Sequence, residues 1–304
     1  MNTLITIVGP TAVGKTALSI ELAKTFESVI ISADSRQFYQ HMDIGTAKPT
    51  KEELAAAKHY FIDSLKPDEE FSAAKFETAA EDLMNRLFPQ HPTLIMVGGS
   101  TLYMDAIWNG FSPMPFIDPS VRETLNQEFR DQGLDALLKE LAEVDPDVYG
   151  QIDKQNPARV IRALEVYRGT GTPISVFRQG RNQKKHAYRL IKIGLQDERE
   201  VLYNRIDQRV HQMIAEGLVE EAKDLLGKGY AEHLNALQAI GYRELFPYLK
   251  GEYDLDEAIR LIQRNSRRYA KRQLTYYRRF EDISWFQAGQ NEEVLTWLKK
   301  ELED

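Results

Sequence analysis

The stretch GPTAVGKT at residues 9–16 has the residue types and spacing of a phosphate grip. Gly9, Pro10, Thr11, Ala12, Val13, Gly14, Lys15 and Thr16 satisfy G-x-x-x-x-G-K-[ST], between an apolar run and a helical pattern. The glycines let backbone N–H groups turn towards phosphate oxygens, and the helix start adds the positive end of a dipole. Lys15 supplies a mobile charge for the terminal phosphate, and the Thr16 hydroxyl can hold Mg²⁺. On this stretch alone the first reading is an enzyme that binds and uses ATP.

In phosphate-loop hydrolases an Asp commonly ends a second apolar strand and helps hold the metal. TLIMV at 93–97 ends instead in Gly98-Gly99-Ser100, whereas SVIISA at 28–33 runs into Asp34. Asp34 can therefore support a metal or act as a base, and spacing leaves both open. Ser35, Arg36 and Gln37 follow it. Arg and Gln each make paired hydrogen bonds to base edges, so Arg36 and Gln37 suit a nucleobase.

These residues need elements to hold them at one edge. LITIV (4–8), SVIISA (28–33), TLIMV (93–97) and YRLIKIGL (188–195) read as strands, with HYFIDS as a further short one. Helices are expected at Lys15–Thr25, at Glu52–Lys58 and, capped by Ser72, up to Leu87. Alternation of this kind predicts an α/β fold, a parallel sheet flanked by helices, with ligands at the carboxyl ends of its strands. After Trp108-Asn109-Gly110 the proline-rich FSPMPFIDPS breaks the pattern, and residues to about 187 read as helices. One of them starts at the Asn156 cap and stops at Gly169. The expected organisation is a catalytic core of 1–115 and 188–304 around a helical insert of 116–187, with a helical C-terminal region.

With 42% hydrophobic and 28% charged residues, a packed core is expected. The absence of cysteine excludes disulfides, thiol nucleophiles and cysteine zinc sites, and fits a reducing compartment such as the cytoplasm. The six histidines lack H-x₃-H or similar zinc spacing. Neither a signal peptide nor a membrane span is expected, and with no large apolar seam a monomer is the default. The net charge is −7, yet Arg260–Arg279 carries eight Lys or Arg and no acid. A basic helix with interleaved Tyr269, Tyr276 and Tyr277 in an acidic chain suits a phosphate backbone.

Taken with the loop, ADSRQFYQHMDIGTAKPT and VGGSTLY resemble the tRNA dimethylallyltransferase family, also called tRNA isopentenyltransferases. NPARVIRALEVYRGTGTPIS, LYNRIDQRVHQMIAEGLVEEA, LQAIGYRE and RNSRRYAKRQLTYYRR are similar to it in the same order, so the resemblance runs from about residue 4 to 286. The family often has two histidines where this chain has His59-Tyr60, and usually Thr in place of Ser100.

The resemblance implies transfer of a dimethylallyl group from dimethylallyl diphosphate to N6 of the adenine 3′ of the anticodon, in tRNAs that read codons beginning with U. It gives Asp34 the role of base, places Ser100 beside the adenine, and brings one or both of Arg205 and Arg209 to the diphosphate; Lys15, the loop N–H groups and Mg²⁺ are the groups that can neutralise the charge of that leaving group. It further implies that tRNA, through its anticodon stem-loop, meets Asp34–Gln37, Arg122, the segment Ala158, Arg159, Val160, Ile161 and Arg162, and the segment Gln238, Ala239, Ile240, Gly241, Tyr242 and Arg243. Two other classes share parts of this pattern: a small-molecule or nucleotide kinase, and an RNA-binding protein in which nucleotide binding is only a switch.

Overall fold

The computed structural model describes residues 1–110, 114–179 and 184–303. Residues 111–113, part of the proline-rich break, lie outside the described residues. Six strands form one sheet: β1 Thr3–Val8, β2 Ile30–Ser32, β3 His59–Tyr60, β4 Thr93–Val97, β5 Arg189–Gln196 and β6 Ser284–Gln287. Their order is β3-β2-β4-β1-β5-β6, and every pairing is parallel. Parallel strands need crossovers, and the helices between them supply these.

β1 is buried along its whole length, as a central strand covered on both faces must be. Leu4 pairs with Leu94 of β4 and with Leu190 of β5. Chain order reverses around β1: β2 is reached on one side, β5 on the other. Such a reversal leaves a crevice at the carboxyl ends of the strands. The residues that follow β1, β2 and β4 there are the phosphate loop, Asp34 and Gly98–Ser100.

β6 is a correction to the sequence reading, which took the chain after β5 as helical. SWFQ is too short to carry a period, and it is a strand because it pairs with β5 from Ile193↔Ser284 to Gln196↔Gln287.

The structure divides into two units, Met1–Trp108 with Lys185–Asp304, and Asn109–Lys184. The sequence reading set these boundaries at 115/116 and 187/188. In the first unit, one core packs the helix Lys15–Thr25, the helix Arg199–Ala215 and the C-terminal helix against β1, β4 and β5. A second core gathers Tyr39, Met42, Leu218, Leu237, Tyr242, Leu245 and Ile262 beneath the loop that follows β2. The basic segment lies in a helix of 23 residues, Leu255–Tyr277, capped by the Asp254 side chain on Glu257 N–H.

The second unit has its own core, with Leu125, Leu137, Leu141, Val160 and Leu164 fully or almost fully buried. Its described elements are all helical, the longest being Pro119–Gln132 and Pro157–Thr170. Asn156 caps the latter as expected, through Arg159 N–H. The helix passes Gly169 and ends at Gly171, the residue that takes the left-handed φ of 72°.

Candidate active site

The phosphate loop leaves β1 and closes at Gly14, which holds φ 100° as the residue before the helix Lys15–Thr25. A side chain at that φ would be strained, so the second glycine of the motif is set by backbone geometry. Pro10 and Val13 are buried and anchor the loop in the core, which leaves its backbone to line the cavity. Lys15 Nζ donates to the carbonyls of Gly9 at 3.1 Å and Pro10 at 2.7 Å. Burial lowers its pKa to about 8, partly opposed by the Asp34 carboxylate and reinforced by Arg209. Taking this ammonium out of water is unfavourable, so a ligand phosphate would stabilise its charged form.

Lys15 and Thr16 line a cavity of about 460 Å³ together with Asp34, Gly99, Arg205 and Arg209. Arg205 and Arg209 lie one turn apart on the helix Arg199–Ala215 and share a face. They are not equivalent. Arg205 is paired with Asp197 at 2.6 Å. The Arg209 guanidinium has no ion-pair partner within 4 Å among the described residues, and burial depresses its pKa against the pull of Asp34. Arg209 is therefore the arginine with free donors for an anion.

Asp34 begins the turn after β2. Its Oδ1 accepts Arg36 N–H at 2.9 Å, and the Ser100 hydroxyl accepts Ser35 N–H at 2.9 Å. These two bonds fold the Asp34 turn against the end of β4. Asp34 also lines an adjoining cavity of about 310 Å³, walled by Ser35, Arg36, Gln238–Gly241, Arg243 and Arg272. A third, of about 380 Å³, is lined by Ser35, Arg36, Ser100 and Leu102. Tyr269 borders all three; its phenol, pushed up to about 12 by burial, is a neutral donor at pH 7. The carboxylate thus lines both the space bordered by the phosphate loop and a neighbouring one walled by Arg36, Arg243, Arg272 and Tyr269.

The loop after this turn is held in place by a carboxylate. Glu221 accepts the N–H groups of Asp43, Ile44 and Gly45 at 2.8–2.9 Å and the Tyr242 hydroxyl at 2.6 Å. Lys48 binds the Tyr39 carbonyl, Asp43 and Asp63 from the other side.

Several expectations about individual side chains change. The Gln37 amide is engaged by its own loop: Nε2 donates to the carbonyls of Thr46 and Ala47, and Oε1 accepts from Ser32. It shapes the wall rather than offering a free amide to a base. Arg36 donates to the Asn235 carbonyl. Tyr242 is fully buried, and Ala239 is 7% exposed, so in the segment 238–243 the exposed side chains are Gln238 and Arg243. Val160 and Ile161 are likewise buried, because the 3.6-residue period turns them into their own core while Ala158 and Arg159 face outward. In that unit Arg122 and Arg162 both pair with the buried Glu165, at 3.3 and 3.0 Å.

Two features were missed in sequence. Gln273, buried in the basic helix, bonds Thr11 N–H of the loop and the Gly99 carbonyl. Glu221 was read only as part of a helix. Nothing local marks either residue, since the loop backbone groups they bind are more than 170 positions away.

Among the described residues no group of three His, Asp or Glu side chains could enclose a metal ion. Mg²⁺ at phosphate sites needs only one or two protein oxygens, with water and substrate phosphates completing its shell. The Thr16 hydroxyl and Asp34 carboxylate line one cavity and are donors of that kind, so the residues present fit the ion.

The chain is similar to known proteins along its length. The model of the IPP transferase family matches residues 37–280. A tRNA dimethylallyltransferase from Cytophaga hutchinsonii is 45% identical over 301 residues, 99% of this chain and 98% of that one. Among solved structures, a tRNA isopentenylpyrophosphate transferase from Bacillus halodurans is 40% identical, with a TM-score of 0.74 over 100% of this chain and 97% of that one. A eukaryotic dimethylallyltransferase acting on tRNA is 25% identical, with a TM-score of 0.77 over 95% of this chain and 74% of that one.

Proposed function

The chain belongs to the tRNA dimethylallyltransferase, or IPP transferase, family, and from that premise we propose that it moves a dimethylallyl group from dimethylallyl diphosphate to N6 of an adenine in tRNA, releasing diphosphate. The observation that carries this reading is the placement of Asp34, which lines both the phosphate-loop cavity and its neighbour. A base at that position faces a leaving group on one side and an acceptor on the other.

The adenine amine is a weak nucleophile because its lone pair is delocalised into the ring. Its attack needs an electrophile with a good leaving group and an acceptor for the N6 proton. Lys15, Arg209 and the loop N–H groups neutralise the charge that develops on diphosphate as the allylic C–O bond breaks. Mg²⁺, where bound through the Thr16 hydroxyl and the substrate phosphates, would supply further charge neutralisation and leave Asp34 free to act as the base. The Asp34 carboxylate takes the N6 proton, help of a kind worth roughly 10²–10⁴-fold. Ser100 holds the Asp34 turn in register, and Tyr269 with Arg36 and Arg272 provides planes and donors for an unstacked base.

The adenine must leave its stack to enter such a site. We take it to be the adenine 3′ of the anticodon in tRNAs that read codons beginning with U, and we take Arg122, Arg159 and Arg162 to meet the anticodon stem-loop. Among the described residues no helix is long and apolar enough to cross a membrane. A tRNA substrate suits a cytoplasmic enzyme, which we take to act as a monomer. The test offers the protein an anticodon stem-loop with labelled dimethylallyl diphosphate or labelled ATP. Allyl label on the adenine N6 supports the reading. Phosphate label moved to any acceptor, with no allyl transfer, refutes it.

A further inference from the structure

The basic helix Leu255–Tyr277 carries one polar side chain that is almost wholly withdrawn from water. Gln273 is 1% exposed. Its Oε1 accepts Thr11 N–H at 2.9 Å, and its Nε2 donates to the Gly99 carbonyl at 2.8 Å. Thr11 lies in the phosphate loop after β1. Gly99 follows β4 and directly precedes Ser100. One amide therefore joins the two loops that hold the opposite sides of the site.

The contact is close by construction. A Cβ added at Gly99 would sit 2.3 Å from Gln273 Nε2, so glycine is what lets the amide in. Tyr269, one turn earlier on the same helical face, points its hydroxyl at the same Gly99 carbonyl from 3.5 Å. A buried amide costs free energy unless both its donor and its acceptor are satisfied, and an apolar side chain of equal size would fill this space without that cost. What the amide adds is geometry, because hydrogen bonds hold heavy atoms within a few tenths of an ångström.

We propose that Gln273 is a positioning residue whose side-chain amide sets the separation between the phosphate loop and the Ser100 end of β4. It thereby fixes the distance between the diphosphate leaving group and the acceptor amine. This rests on the transferase reading above. Its consequence is chemical as well as structural. When the allylic C–O bond breaks, the carbon bears positive charge and takes the nearest lone pair. If adenine N6 is nearest, a C–N bond forms, the amine proton passes to Asp34 and diphosphate leaves. If water is nearest, its oxygen bonds the carbon, its extra proton goes to solvent, and the products are a five-carbon alcohol and diphosphate. Neither course oxidises or reduces anything. The clamp favours the first by holding the donor at reacting distance from the amine.

The test measures alkylated RNA and labelled alcohol in the same reaction for wild type, Gln273→Met and Gly99→Ala. Diphosphate affinity and the urea midpoint are measured alongside. Methionine keeps the volume and removes both hydrogen bonds, while alanine at 99 displaces the amide from the other side. Expected for both variants is a fall in transfer on the order of 10–100-fold, as for a misplacement of about 1 Å. Expected too is an alcohol share raised by about ten-fold in both, with diphosphate affinity within about three-fold of wild type in Gln273→Met. The double variant should be no worse than either single one, since both break the same clamp. An unchanged alcohol share in both variants overturns the proposal, whether transfer holds or falls in step with affinity or stability. Wild type that alkylates no RNA would instead sink the transferase reading itself.

Discussion

The Ser100 hydroxyl accepts the backbone N–H of Ser35 at 2.9 Å, and this bond ties the turn after β2 to the end of β4. Asp34, the residue before Ser35, is braced at the same time by its own bond to Arg36 N–H. The turn that carries the carboxylate is thus held from both strand ends. A base on a free loop would lose much of its effect to misorientation.

Ser100→Ala removes that acceptor and leaves a partly buried N–H without a partner, at a cost of about 1–2 kcal/mol. Transfer to an anticodon stem-loop should fall about 10-fold, while Ser100→Thr, which keeps the hydroxyl, should stay near wild type. Steady-state kinetics of the two variants provide the check.

Lys15 should make diphosphate binding depend on pH. Its pKa in the free protein is lowered to about 8 by burial, so the group loses its charge as pH rises through that value. An anion favours the protonated form and raises the pKa on binding. Binding should weaken between pH 7 and 9, and near pH 8 it should take up a proton. Calorimetry in buffers of different ionisation heat reads that uptake directly. Lys15→Met should bind weakly at every pH and take up none.

Glu221 offers a test of stability apart from chemistry. Its carboxylate holds three consecutive N–H groups of the loop that walls the cavities, and the buried Tyr242 hydroxyl as well. Glu221→Ala should lower unfolding stability by about 2–3 kcal/mol, because charge-assisted bonds are lost and donors are left unsatisfied. Urea unfolding would show this as a lower midpoint. Glu221→Gln should lose less.

Within the helical unit, arginines divide by their partners. Arg122 and Arg162 are half-exposed and share one acceptor, Glu165. Arg168 is fully engaged by Glu128 and Glu140, which raise its pKa. Alanine at 122 or 162 should weaken RNA binding and reduce the salt slope by about 1 each, as for a lost phosphate contact. Arg168→Ala should lower stability with little change in the slope. Filter binding across a salt series separates the two patterns.

The parts of this fold and site that sequence made legible are local ones. GPTAVGKT states its own conformation through glycine and a following helix, and Asp34 is marked by the apolar run that it ends. The basic helix was legible as a run of charge, but its role at the site was not. Gln273 stands among arginines and reads as one more polar residue, and only the fold brings it to Thr11 and Gly99. β6 depends in the same way on a partner strand distant in sequence. Tyr242, Val160 and Ile161 are the converse case: the resemblance places them in segments expected to face tRNA, and helical spacing turns their side chains inward.

The central claim is that the phosphate loop holds a leaving group, opposite the carboxylate that frees the acceptor. A single-turnover reaction, quenched and assayed in one sample for diphosphate and for N6-alkylated adenine, tests it most directly. One diphosphate per alkylated adenine is the expected result, with both lost together, by roughly 10²-fold or more, in Asp34→Asn. Orthophosphate from ATP, or an Asp34→Asn protein that alkylates at the wild-type rate, would contradict the account.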